Sequence, residues 1–549
     1  MSSQKSVSGK IWIYLSELQD ADIIEILLKN RSLTTKKQKE EFLRPSNPFN
    51  LTLREFGIPA APLNKAVKRI KQAIENKEKI IVYGDYDADG ICATAVLWET
   101  LHKLGADVMP HIPDRFTEGY GINPDSIEAL LERYEKIGLI ICVDNGISAY
   151  KAIDYANKKR IDVIITDHHQ IGKKLPKAFE VVHSTIISGS AVAWLLARQL
   201  GTKRGLELVA IGTISDQIPL LEVNRSLVKW GLKELNKTKR IGLLALYNEA
   251  GIKLGEVTPY TVGFMIAPRI NAMGRLAHGL ESLRLLCTKN VKRATEIAHS
   301  VGRTNKERQT IVEQVLVHAK SDTALSGSGI IVVVSELYHE GVIGLAASRL
   351  VSEYFRPAIV ISKGVAVSKA SARSIPGVNI FKIISSLDDI LDSGGGHEMA
   401  AGFSIKSDRL SDFIERIADL SKTYLSKDIL TKSLKIDMKL NFQQIDKSLL
   451  DKLSQFEPTG IGNFTPTFAS EKVEIIEARL VGADKRHLKL KLKQDKKIFS
   501  AIGFGMGEYF LQLVKDKPID VVYSIEEDSW NGRSDIQLKL KDFTLQNPD

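Results

Sequence analysis

Short apolar, β-branched runs alternate with amphipathic helical segments from about residue 64 onward. Four of these runs have the length and composition of buried strands, at residues 80–83, 106–110, 139–143 and 161–166. A basic amphipathic helix is predicted before the first strand, up to Asn76, and a second helix after it, from Ile91 to Leu104. This alternation is typical of a parallel sheet with helices on its faces.

Acidic and imidazole side chains follow three of the predicted strands directly. These side chains are Asp85, Asp87 and Asp89 after the first strand, Asp144 after the third, and Asp167, His168 and His169 after the fourth. In an open α/β sheet, ligands bind in the crevice at the carboxyl ends of the strands, so we expect this chemistry at one edge. Carboxylates this close repel one another unless a cation neutralises them, and oxygen ligands on a tight turn suit Mg²⁺ or Mn²⁺.

A single acid interrupts the apolar run 208–220, which follows a predicted helix from Ser188 to Leu200. Burying a carboxylate without a partner is costly. Asp216 is therefore expected either to cap a helix or to bind a cation.

The chain changes character after residue 290. A long charged helix is predicted from Val291 to Ala319 and would link two lobes. A second α/β unit follows, and it ends in a glycine-rich stretch, 393–402, that is expected to form a turn. Backbone N–H groups in such a turn are free to bind phosphate oxygens.

Short alternating strands from about residue 430 predict a small β-barrel. The predicted strands are 434–440, 468–476, 479–481, 487–492, 498–504, 519–525 and 536–543. A barrel of this kind binds single strands through a basic groove and stacking aromatic rings. The basic candidates are Lys485, Arg486, His487, Lys489 and Lys491, and the aromatic candidates are Phe464, Phe504, Tyr509 and Trp530.

Composition narrows the function classes. A chain of 549 residues with 44% hydrophobic and 26% charged residues is long enough for three or four globular domains. It has no long apolar span and no cleavable signal, which predicts a cytoplasmic protein without a membrane partner. The net charge of +10 favours a polyanionic partner, and the three separated cysteines indicate buried thiols rather than a disulfide or zinc site.

Several motifs in order resemble those of the DHH phosphoesterase superfamily, and the whole chain is similar to the RecJ family of single-strand-specific exonucleases. The motifs are GDYDADG (84–90), VDNG (143–146), TDHH (166–169), GTISDQIPL (212–220), PRINAMGRL (268–276), EGVIG (340–344), SARS (371–374) and GGGH (394–397). As an ordered set they are far more specific than any single motif.

The resemblance implies an α/β fold in which a parallel-sheet DHH domain is joined by a long helix to an α/β DHHA1 domain, followed by an OB-type β-barrel. The expected boundaries are an N-terminal appendage at 1–60, the DHH domain at 61–290, the connecting helix at 291–322, the DHHA1 domain at 323–428 and the OB fold at 429–549.

It also implies a two-metal active site with Mn²⁺ or Mg²⁺. Asp87 would bind the first metal, Asp89 the second, and Asp144 would bridge them, while His168 and Asp216 complete the second site. Asp85 is an expected additional ligand or orienting group, and His169 is expected to contact the scissile phosphate. The residues expected to contact nucleic acid are Arg115, Arg275, Ser371, Arg373, Gly395, Gly396 and His397.

Two departures from the family pattern affect these expectations. Tyr83 occupies a position where many superfamily members carry a histidine ligand, so the first metal is expected to be held more weakly or coordinated differently. The segment 170–187 looks shorter than the usual loop, with Val182-His183-Ser184 where Asn-Pro is common, which leaves substrate entry there undefined.

The expected function is removal of mononucleotides from the 5′ end of single-stranded DNA, in DNA repair and recombination. Arg115 and Arg373, with Ser371, would recognise a terminal 5′-phosphate. Expected partners are single-stranded DNA, a single-strand-binding protein and a helicase. The alternatives are a DHH enzyme that cleaves oligoribonucleotides or cyclic dinucleotides, and a non-catalytic, Cdc45-like single-strand-binding protein.

Overall fold

The computed structural model describes residues 6–17, 22–172, 174–321, 329–426, 428–513, 517–530 and 533–545. The chain divides into two compact units. The first unit comprises Glu40–Gln309 and Pro458–Phe464, and the second comprises Met1–Lys39, Thr310–Glu457 and Thr465–Asp549.

The N-terminal elements are β1 (Ile11–Tyr14), α1 (Ile23–Asn30) and α2 (Lys36–Leu43). Five strands and eleven helices follow among the described residues of the first unit, before the long helix that the two units share. They are α3 (Ala60–Glu75), β2 (Ile80–Tyr83), α4 (Ala88–Lys103), β3 (Val108–His111), α5 (Pro124–Arg133), β4 (Leu139–Val143), α6 (Tyr150–Lys158), β5 (Asp162–Asp167), β6 (Glu180–His183), α7 (Gly189–Gln199), α8 (Leu206–Ser215), α9 (Glu222–Leu235), α10 (Ile241–Ala250), α11 (Pro259–Thr261), α12 (Ala267–Leu276) and α13 (Leu280–Cys287).

The sheet of the first unit has the strand order β3-β2-β4-β5-β6, and every pairing is parallel. Every residue of β2 and β4 is buried, because apolar helices cover both faces. Tyr83 pairs with Cys142, and Val143 with Thr166, so β2, β4 and β5 end at the same edge. The predicted parallel α/β architecture is confirmed.

The apolar run 208–220 is mostly helical. It forms α8, whose buried residues include Leu208, Val209 and Ile211, and Asp216 is the C-cap residue directly after it. Of the two predicted roles, capping therefore describes its backbone position, and its side chain belongs to the site described below.

The helix α14 (Val291–Ser321) follows, and the division between the units falls within it, between Gln309 and Thr310. The described residues of the second unit continue with further helices and strands. They are β7 (Ile331–Ser335), α15 (Ile343–Tyr354), β8 (Ala358–Ser362), β9 (Val367–Arg373), α16 (Ile380–Ser385), β10 (Leu391–His397), β11 (Ala400–Lys406), α17 (Leu410–Tyr424), β12 (Ser433–Ile436), β13 (Met438–Lys439), α18 (Lys447–Leu453), β14 (Phe468–Val481), β15 (His487–Gln494), β16 (Lys497–Gly503), β17 (Ile519–Trp530) and β18 (Arg533–Leu545), with the short 3₁₀ turn Gly507–Gln512 between β16 and β17.

The α/β part of the second unit has the strand order β10-β11-β9-β8-β7. The glycine-rich stretch 393–402 forms a hairpin, in which Gly394–Gly396 lie in strand β10, the turn is confined to Glu398 and Met399, and residues 400–402 begin strand β11. Gly394 pairs with Phe403 and His397 with Ala400, so the backbone groups on one side of β10 bond to β11. The prediction of a turn was wrong for the three glycines, because the pairing of two neighbouring strands outweighs the weak strand propensity of glycine.

The predicted C-terminal β-barrel is confirmed. Strands β14, β15, β16, β18 and β17 pair in that order, and β14 also pairs with β17, which closes the barrel. The predicted strands 468–476 and 479–481 are one strand, β14, with an irregularity between Ile475 and Glu477. Strand β1 pairs in parallel with β12, so part of the predicted N-terminal appendage is a strand of the second unit.

Among the helices described, none is long and apolar enough to span a membrane.

Candidate metal centre

The turn between β2 and α4 presents three carboxylates. Asp87 is the N-cap of α4, and its Oδ1 accepts a hydrogen bond of 2.9 Å from the backbone N–H of Gly90. Asp85 and Asp89 are buried on either side of it. Oδ1 of Asp85 accepts from the N–H of Tyr86 at 2.7 Å. The strand end and the helix cap together hold three acids on one short turn.

Asp144 follows β4 in a left-handed backbone conformation, with φ of 62°, and is 2% exposed. Its Oδ1 lies 3.1 Å from Nε2 of His168 but makes no hydrogen bond with acceptable geometry among the described residues. A Cβ on Gly189 would lie 2.2 Å from the same oxygen. This oxygen is therefore buried, close to its neighbours and free to bind a ligand.

Asp89 and Asp216 lie on the other side of His168. The carboxylate of Asp89 accepts backbone hydrogen bonds from Gly189 at 2.7 Å and Ser190 at 3.1 Å, at the start of α7. Oδ2 of Asp216 lies 3.5 Å from Nε2 of His168. A helix N-terminus favours negative charge, so α7 helps to hold Asp89 ionised.

These donors form two groups whose ligand atoms all lie within 4.8 Å of one another. One group is Asp85, Asp87 and Asp144, and the other is Asp89, His168 and Asp216. A third group of the same kind, Asp144, His168 and His169, joins them. Carboxylate oxygens with one imidazole nitrogen suit Mn²⁺ or Mg²⁺. The residues present therefore fit a pair of divalent cations.

The electrostatics show why cations belong here. Burial, followed by repulsion from neighbouring carboxylates, raises the pKa of Asp85 and of Asp144 well above the ordinary value. Burial and the charge of Asp89 raise the pKa of Asp216 to about 8. Burial lowers the pKa of His168, which keeps its imidazole neutral and able to bind a metal. The protein alone does not stabilise so many negative charges, whereas a divalent cation does.

Asp167 orients His169. Its Oδ1 accepts hydrogen bonds from Nδ1 of His169 at 2.7 Å and from the N–H of His168 at 2.7 Å, and its Oδ2 accepts from the N–H of Ile147. Burial opposes ionisation of Asp167, but the bond from His169 and the other donors lower its pKa overall. Burial likewise opposes protonation of His169, yet Asp167 raises the pKa of His169 to about 9.

The rim of the centre carries cations and aromatic rings. The guanidinium of Arg115 lies 4.8 Å from the centre of the Tyr86 ring, and the positive charge of Arg275 acts on Tyr86 as well. The hydroxyl of Tyr120 is 3.3 Å from Nε2 of His169. Both predicted arginines of the first unit therefore act on Tyr86, the residue between Asp85 and Asp87.

Three positioning residues were not assigned from the sequence. Asp167 was recognised only as part of a motif, although its place before two histidines suggested an orienting role. Oδ1 of Asn271 accepts from the N–H of Ala88 at 2.7 Å and so supports the turn with Asp87 and Asp89. Tyr120 belongs to a loop without periodic pattern, and no sequence signal points to it.

The structure shows the surroundings of both departures from the family pattern. Tyr83 is fully buried, its hydroxyl donates to the carbonyl of Gly121 at 3.3 Å, and its ring packs against His111. Tyr83 is therefore a core residue and belongs to none of the three donor groups. In segment 170–187, of which residue 173 lies outside the described part, Nε2 of His183 donates to the carbonyl of His169 at 2.7 Å.

The predicted phosphate-binding residues of the second unit lie on three neighbouring strands. Arg373 of β9 pairs with Ala400, which pairs with His397, and Ser371 pairs with Gly402, which pairs with Gly395. The guanidinium of Arg373 donates to the hydroxyl of Ser371 at 3.0 Å. Gly396 lies between Gly395 and His397 on β10, an edge strand whose outward N–H groups face away from β11.

The basic strand of the barrel alternates as a half-buried strand should. Leu488, Leu490 and Leu492 of β15 are buried, whereas Lys489 and Lys491 lie between them on the other face. Of the predicted stacking rings, Phe464 and Phe504 are 66% and 57% exposed, and Tyr509 packs against Phe543. The side chain of Trp530 lies outside the described part of the chain.

Three segments of the chain match the models of known protein families. Residues 79–213 match the DHH family, N-terminal domain, residues 327–423 match the DHHA1 domain, and residues 436–542 match the RecJ OB domain. The first match contains every acid and imidazole of the metal centre except Asp216.

Individual proteins show the same similarity over the whole chain. A Bacillus subtilis protein named single-stranded-DNA-specific exonuclease RecJ is 34% identical over 565 residues, which cover 99% of this chain and 70% of that protein. The crystal structure of RecJ in complex with Mn²⁺ from Thermus thermophilus has a TM-score of 0.81 at 28% identity, covering 96% of this chain and 76% of that one. The corresponding Mg²⁺ complex has a TM-score of 0.74 at 27% identity, covering 96% and 75%.

Proposed function

This chain belongs to the RecJ family of single-stranded-DNA-specific exonucleases, and from that premise we propose that it hydrolyses single-stranded DNA from the 5′ end with two divalent cations. The observation that carries the proposal is the pair of donor groups joined at Asp144 and His168. The cofactor is Mn²⁺ or Mg²⁺, the cations bound in the similar structures.

Two cations in such a site activate a water molecule and neutralise charge on the phosphoryl group that is transferred. The side chains of this chain hold the donors in place. Asp85 and Asp87 would serve the first position, Asp89, His168 and Asp216 the second, and Asp144, which lies in a donor group with Asp85 and Asp87 and 3.1 Å from His168, would serve both. The left-handed backbone at Asp144 turns its carboxylate toward both groups, and the neutral ring of His168 leaves a nitrogen lone pair for binding.

We assign His169 the contact with the scissile phosphate. Asp167 holds its ring through Nδ1, which leaves Nε2 directed away from Asp167 with Tyr120 beside it. A pKa of about 9 keeps this imidazole protonated at neutral pH. A cationic donor next to a phosphate oxygen stabilises the charge that develops during hydrolysis.

The remaining assignments concern the strand itself. We assign Arg115 and Arg275 to phosphates beside the metal centre, and Ser371, Arg373, Gly395, Gly396 and His397 to the strand at the sheet of the second unit. A guanidinium binds a terminal phosphate through two parallel hydrogen bonds, so Arg373 suits a 5′-phosphate. Recognition of that end by Arg373 and Ser371 gives 5′→3′ polarity and release of mononucleotides.

The OB match at residues 436–542 supports a long substrate, since a few-nucleotide substrate needs no separate strand-binding barrel. The oligoribonuclease and cyclic-dinucleotide alternatives are therefore not favoured. The complete donor set speaks against a non-catalytic binding protein, because binding alone does not require a metal pair.

We place this activity in DNA repair and recombination in the cytoplasm. A helicase supplies the unpaired strands on which a single-strand-specific enzyme depends, and a single-strand-binding protein covers the same substrate. Both are therefore the partners that the proposed reaction calls for.

The test is hydrolysis of DNA labelled at either end, as a single strand and as a blunt duplex, with Mn²⁺, Mg²⁺ or EDTA. We expect label at the 5′ end of the single strand to be released first, as mononucleotide, and EDTA to stop the reaction. Release first from the 3′ end would refute the polarity, and equal hydrolysis of the duplex would refute the substrate class.

A further inference from the structure

Two aromatic side chains of the first unit are exposed and stacked on each other. Tyr260 is 67% exposed and Phe264 is 68% exposed, with ring centroids 4.7 Å apart and planes 23° from parallel. Large aromatic rings are usually buried. Two neighbouring rings that are both exposed to water therefore indicate a surface that binds another molecule. No role for this pair follows from the metal centre or from the motifs of the sequence.

The backbone beneath the pair is well anchored. Thr258 and Thr261 form a reciprocal capping box at the start of α11, with Pro259 at the first helical position. A π-helical turn, Val262–Ile266, continues the helix, and its residues Val262 and Ile266 are fully buried. The buried face fixes the helix, so the two rings are held outward on a firm support. Turns of this π type occur often at functional sites.

This helical run borders the metal centre at three points. A Cβ on Gly263, between the two rings, would lie 3.7 Å from Ile214, which is two residues before Asp216. Further along the run, Asn271 accepts the hydrogen bond from Ala88, and a Cβ on Gly274 would lie 2.5 Å from the carbonyl of Tyr86. The helical run that carries the two rings therefore also packs against the end of α8 and against the turn that carries Asp85, Asp87 and Asp89.

We propose that the stacked Tyr260–Phe264 pair is a platform on which an unpaired base of the DNA strand stacks beside the metal centre. The inference rests on the proposed function, because it needs a single strand whose backbone passes the metals. Unpaired bases expose both faces and stack on aromatic rings without sequence preference, whereas bases inside a duplex have no free face. The platform thus contributes to the choice of single strands over duplex.

The kind of ligand that binds the ring pair follows from the side chains of this helical run. The run that carries the rings ends at Leu276, and Arg275 lies in its last turn, directly after Gly274, which packs on the backbone of Tyr86. An exposed ring pair and a guanidinium in the last turn of the same helical run match a ligand with flat apolar faces and an anionic backbone. A single nucleic-acid strand has both features.

The test uses full-length enzyme and oligonucleotides in which one abasic site is moved along the strand, with affinity measured in EDTA and KM and kcat measured with Mn²⁺. For wild type we expect one position at which the abasic site weakens binding by roughly 5- to 150-fold, the range for losing one base–aromatic stack. The double variant Tyr260→Ala and Phe264→Ala should bind intact strands about as weakly as wild type binds the strand with the abasic site at that position. In this variant, an abasic site at the same position should not weaken binding further.

Matched variants separate ring stacking from other effects. Tyr260→Phe keeps both rings and should keep the wild-type response, and Val291→Ala, which shortens another exposed apolar side chain of the first unit, should change nothing. Tyr260→Leu with Phe264→Leu keeps apolar bulk without rings and replaces the alanine pair if that pair lowers the melting temperature. The leucine pair should lose the abasic response.

The outcomes distinguish this proposal from the proposed function. If wild type hydrolyses no single strand, the proposed function fails, whatever the binding data show. If wild type hydrolyses single strands but the double variant binds them with unchanged Kd, or remains as sensitive to the abasic site as wild type, the platform is refuted and the rings contact a different partner. Equal loss of affinity for blunt duplex would also refute it.

Discussion

The two α/β sheets of this protein present their polar side chains in different ways. At the edge of the parallel sheet β3-β2-β4-β5-β6, the acids are buried, with Asp89 and Asp144 only 1% and 2% exposed. On the mixed sheet β10-β11-β9-β8-β7, Ser371 and Arg373 are half-buried and His397 is exposed. One sheet collects like charges out of water, and the other leaves a row of donors at the surface.

On this difference we base the assignment of chemistry to the first sheet and of strand binding to the second. Buried carboxylates that repel one another are costly to ionise until a cation arrives, so the donors at the edge of the first sheet would hold divalent cations and neutralise their own charge in doing so. Exposed donors gain less from each contact because water competes for them. A strand that must advance after each cleavage benefits from the weaker, reversible kind of contact. Variants in the two sheets should therefore fail in different ways.

The largest effect is expected for Asp144→Asn, which removes the charge that we assign to both metal positions. Hydrolysis should fall by at least about 10³-fold, or roughly 4 kcal/mol of barrier, because both cations lose a ligand. Asparagine is the informative replacement, since it tolerates the left-handed backbone at φ of 62° better than alanine. Nuclease rates and circular dichroism should be recorded on the same samples.

The control is Asp107→Asn at the opposite end of the same sheet, where the side chain is half exposed and paired with Lys79. It should keep wild-type rates. If the hydrolysis rate of Asp144→Asn stays within about tenfold of the wild-type rate, this carboxylate lowers the activation barrier by only ~1.4 kcal/mol. That result would contradict the two-metal assignment.

A smaller and more selective effect is expected on the mixed sheet. Arg373→Ala should reduce the preference for a 5′-phosphate over a 5′-hydroxyl by roughly 10- to 150-fold, from the 1.5–3 kcal/mol of hydrogen bonds to a charged group. Arg373→Lys should recover part of this preference, because lysine restores the charge without the planar pair of donors.

The measurement is kcat/KM on the two kinds of 5′ end. Arg416→Ala serves as control, since Arg416 is a partly exposed arginine of the same unit that pairs with Asp389. An Arg373→Ala enzyme that still prefers the phosphate as strongly as wild type would remove Arg373 from end recognition.

The acids of the metal centre also predict a pH dependence of stability. The pKa of Asp216 is about 8 in the metal-free fold, whereas that of an unfolded aspartate is about 3.9. Between these two pH values, Asp216 carries a proton in the folded state that it has lost in the unfolded state. Unfolding free energy must then fall as pH rises through this window. His169 acts in the same direction, because the stability from its protonated form is lost as pH rises through about 9.

We therefore expect the melting temperature in EDTA to fall by a few degrees from pH 6 to pH 8. Added Mn²⁺ should raise it more at pH 8 than at pH 6, because metal binding requires deprotonated carboxylates. Asp144→Asn should show a weaker dependence on both pH and Mn²⁺. A metal-free melting temperature that rises across this range would contradict the electrostatic description of the site.

Sequence patterns predicted the parallel sheet well because the relevant signals are local. A buried strand followed by Asp and Gly, as at Asp85–Gly90 or Asp144–Gly146, specifies both the strand end and the polar residue there. Parallel topology then brings separate strand ends together without further information. The roles of Asn271 and Tyr120 depend on where a distant helix and a loop pack, which no local pattern contains.

Pairing across the chain explains the failures of prediction. Glycines 394–396 look like a turn, but β11 supplies hydrogen-bond partners for a strand. The segment Pro458–Phe464 lies in the predicted barrel region, yet it belongs to the first unit. There the fully buried Arg225 donates to the carbonyl of Pro458 at 3.0 Å, and Leu220 donates to that of Ile461 at 2.7 Å. Such long-range contacts leave no periodic trace in the sequence.

The contact at Pro458–Phe464 determines how the barrel should be tested, and the barrel gives the smallest expected effect. Truncation after residue 428 would remove Pro458 and leave the buried guanidinium of Arg225 short of an acceptor, so loss of activity would reflect damage to the first unit.

Point variants on β15 avoid this damage to the first unit. Lys489→Ala with Lys491→Ala should weaken binding to long single strands a few-fold and reduce the salt slope by about 0.7 per lost phosphate contact. Cleavage of very short oligonucleotides should stay unchanged, and Lys422→Ala, on an exposed helix of the same unit, is the control. Equal losses on short and long strands, or an unchanged salt slope, would show that this strand of the barrel does not follow the DNA backbone.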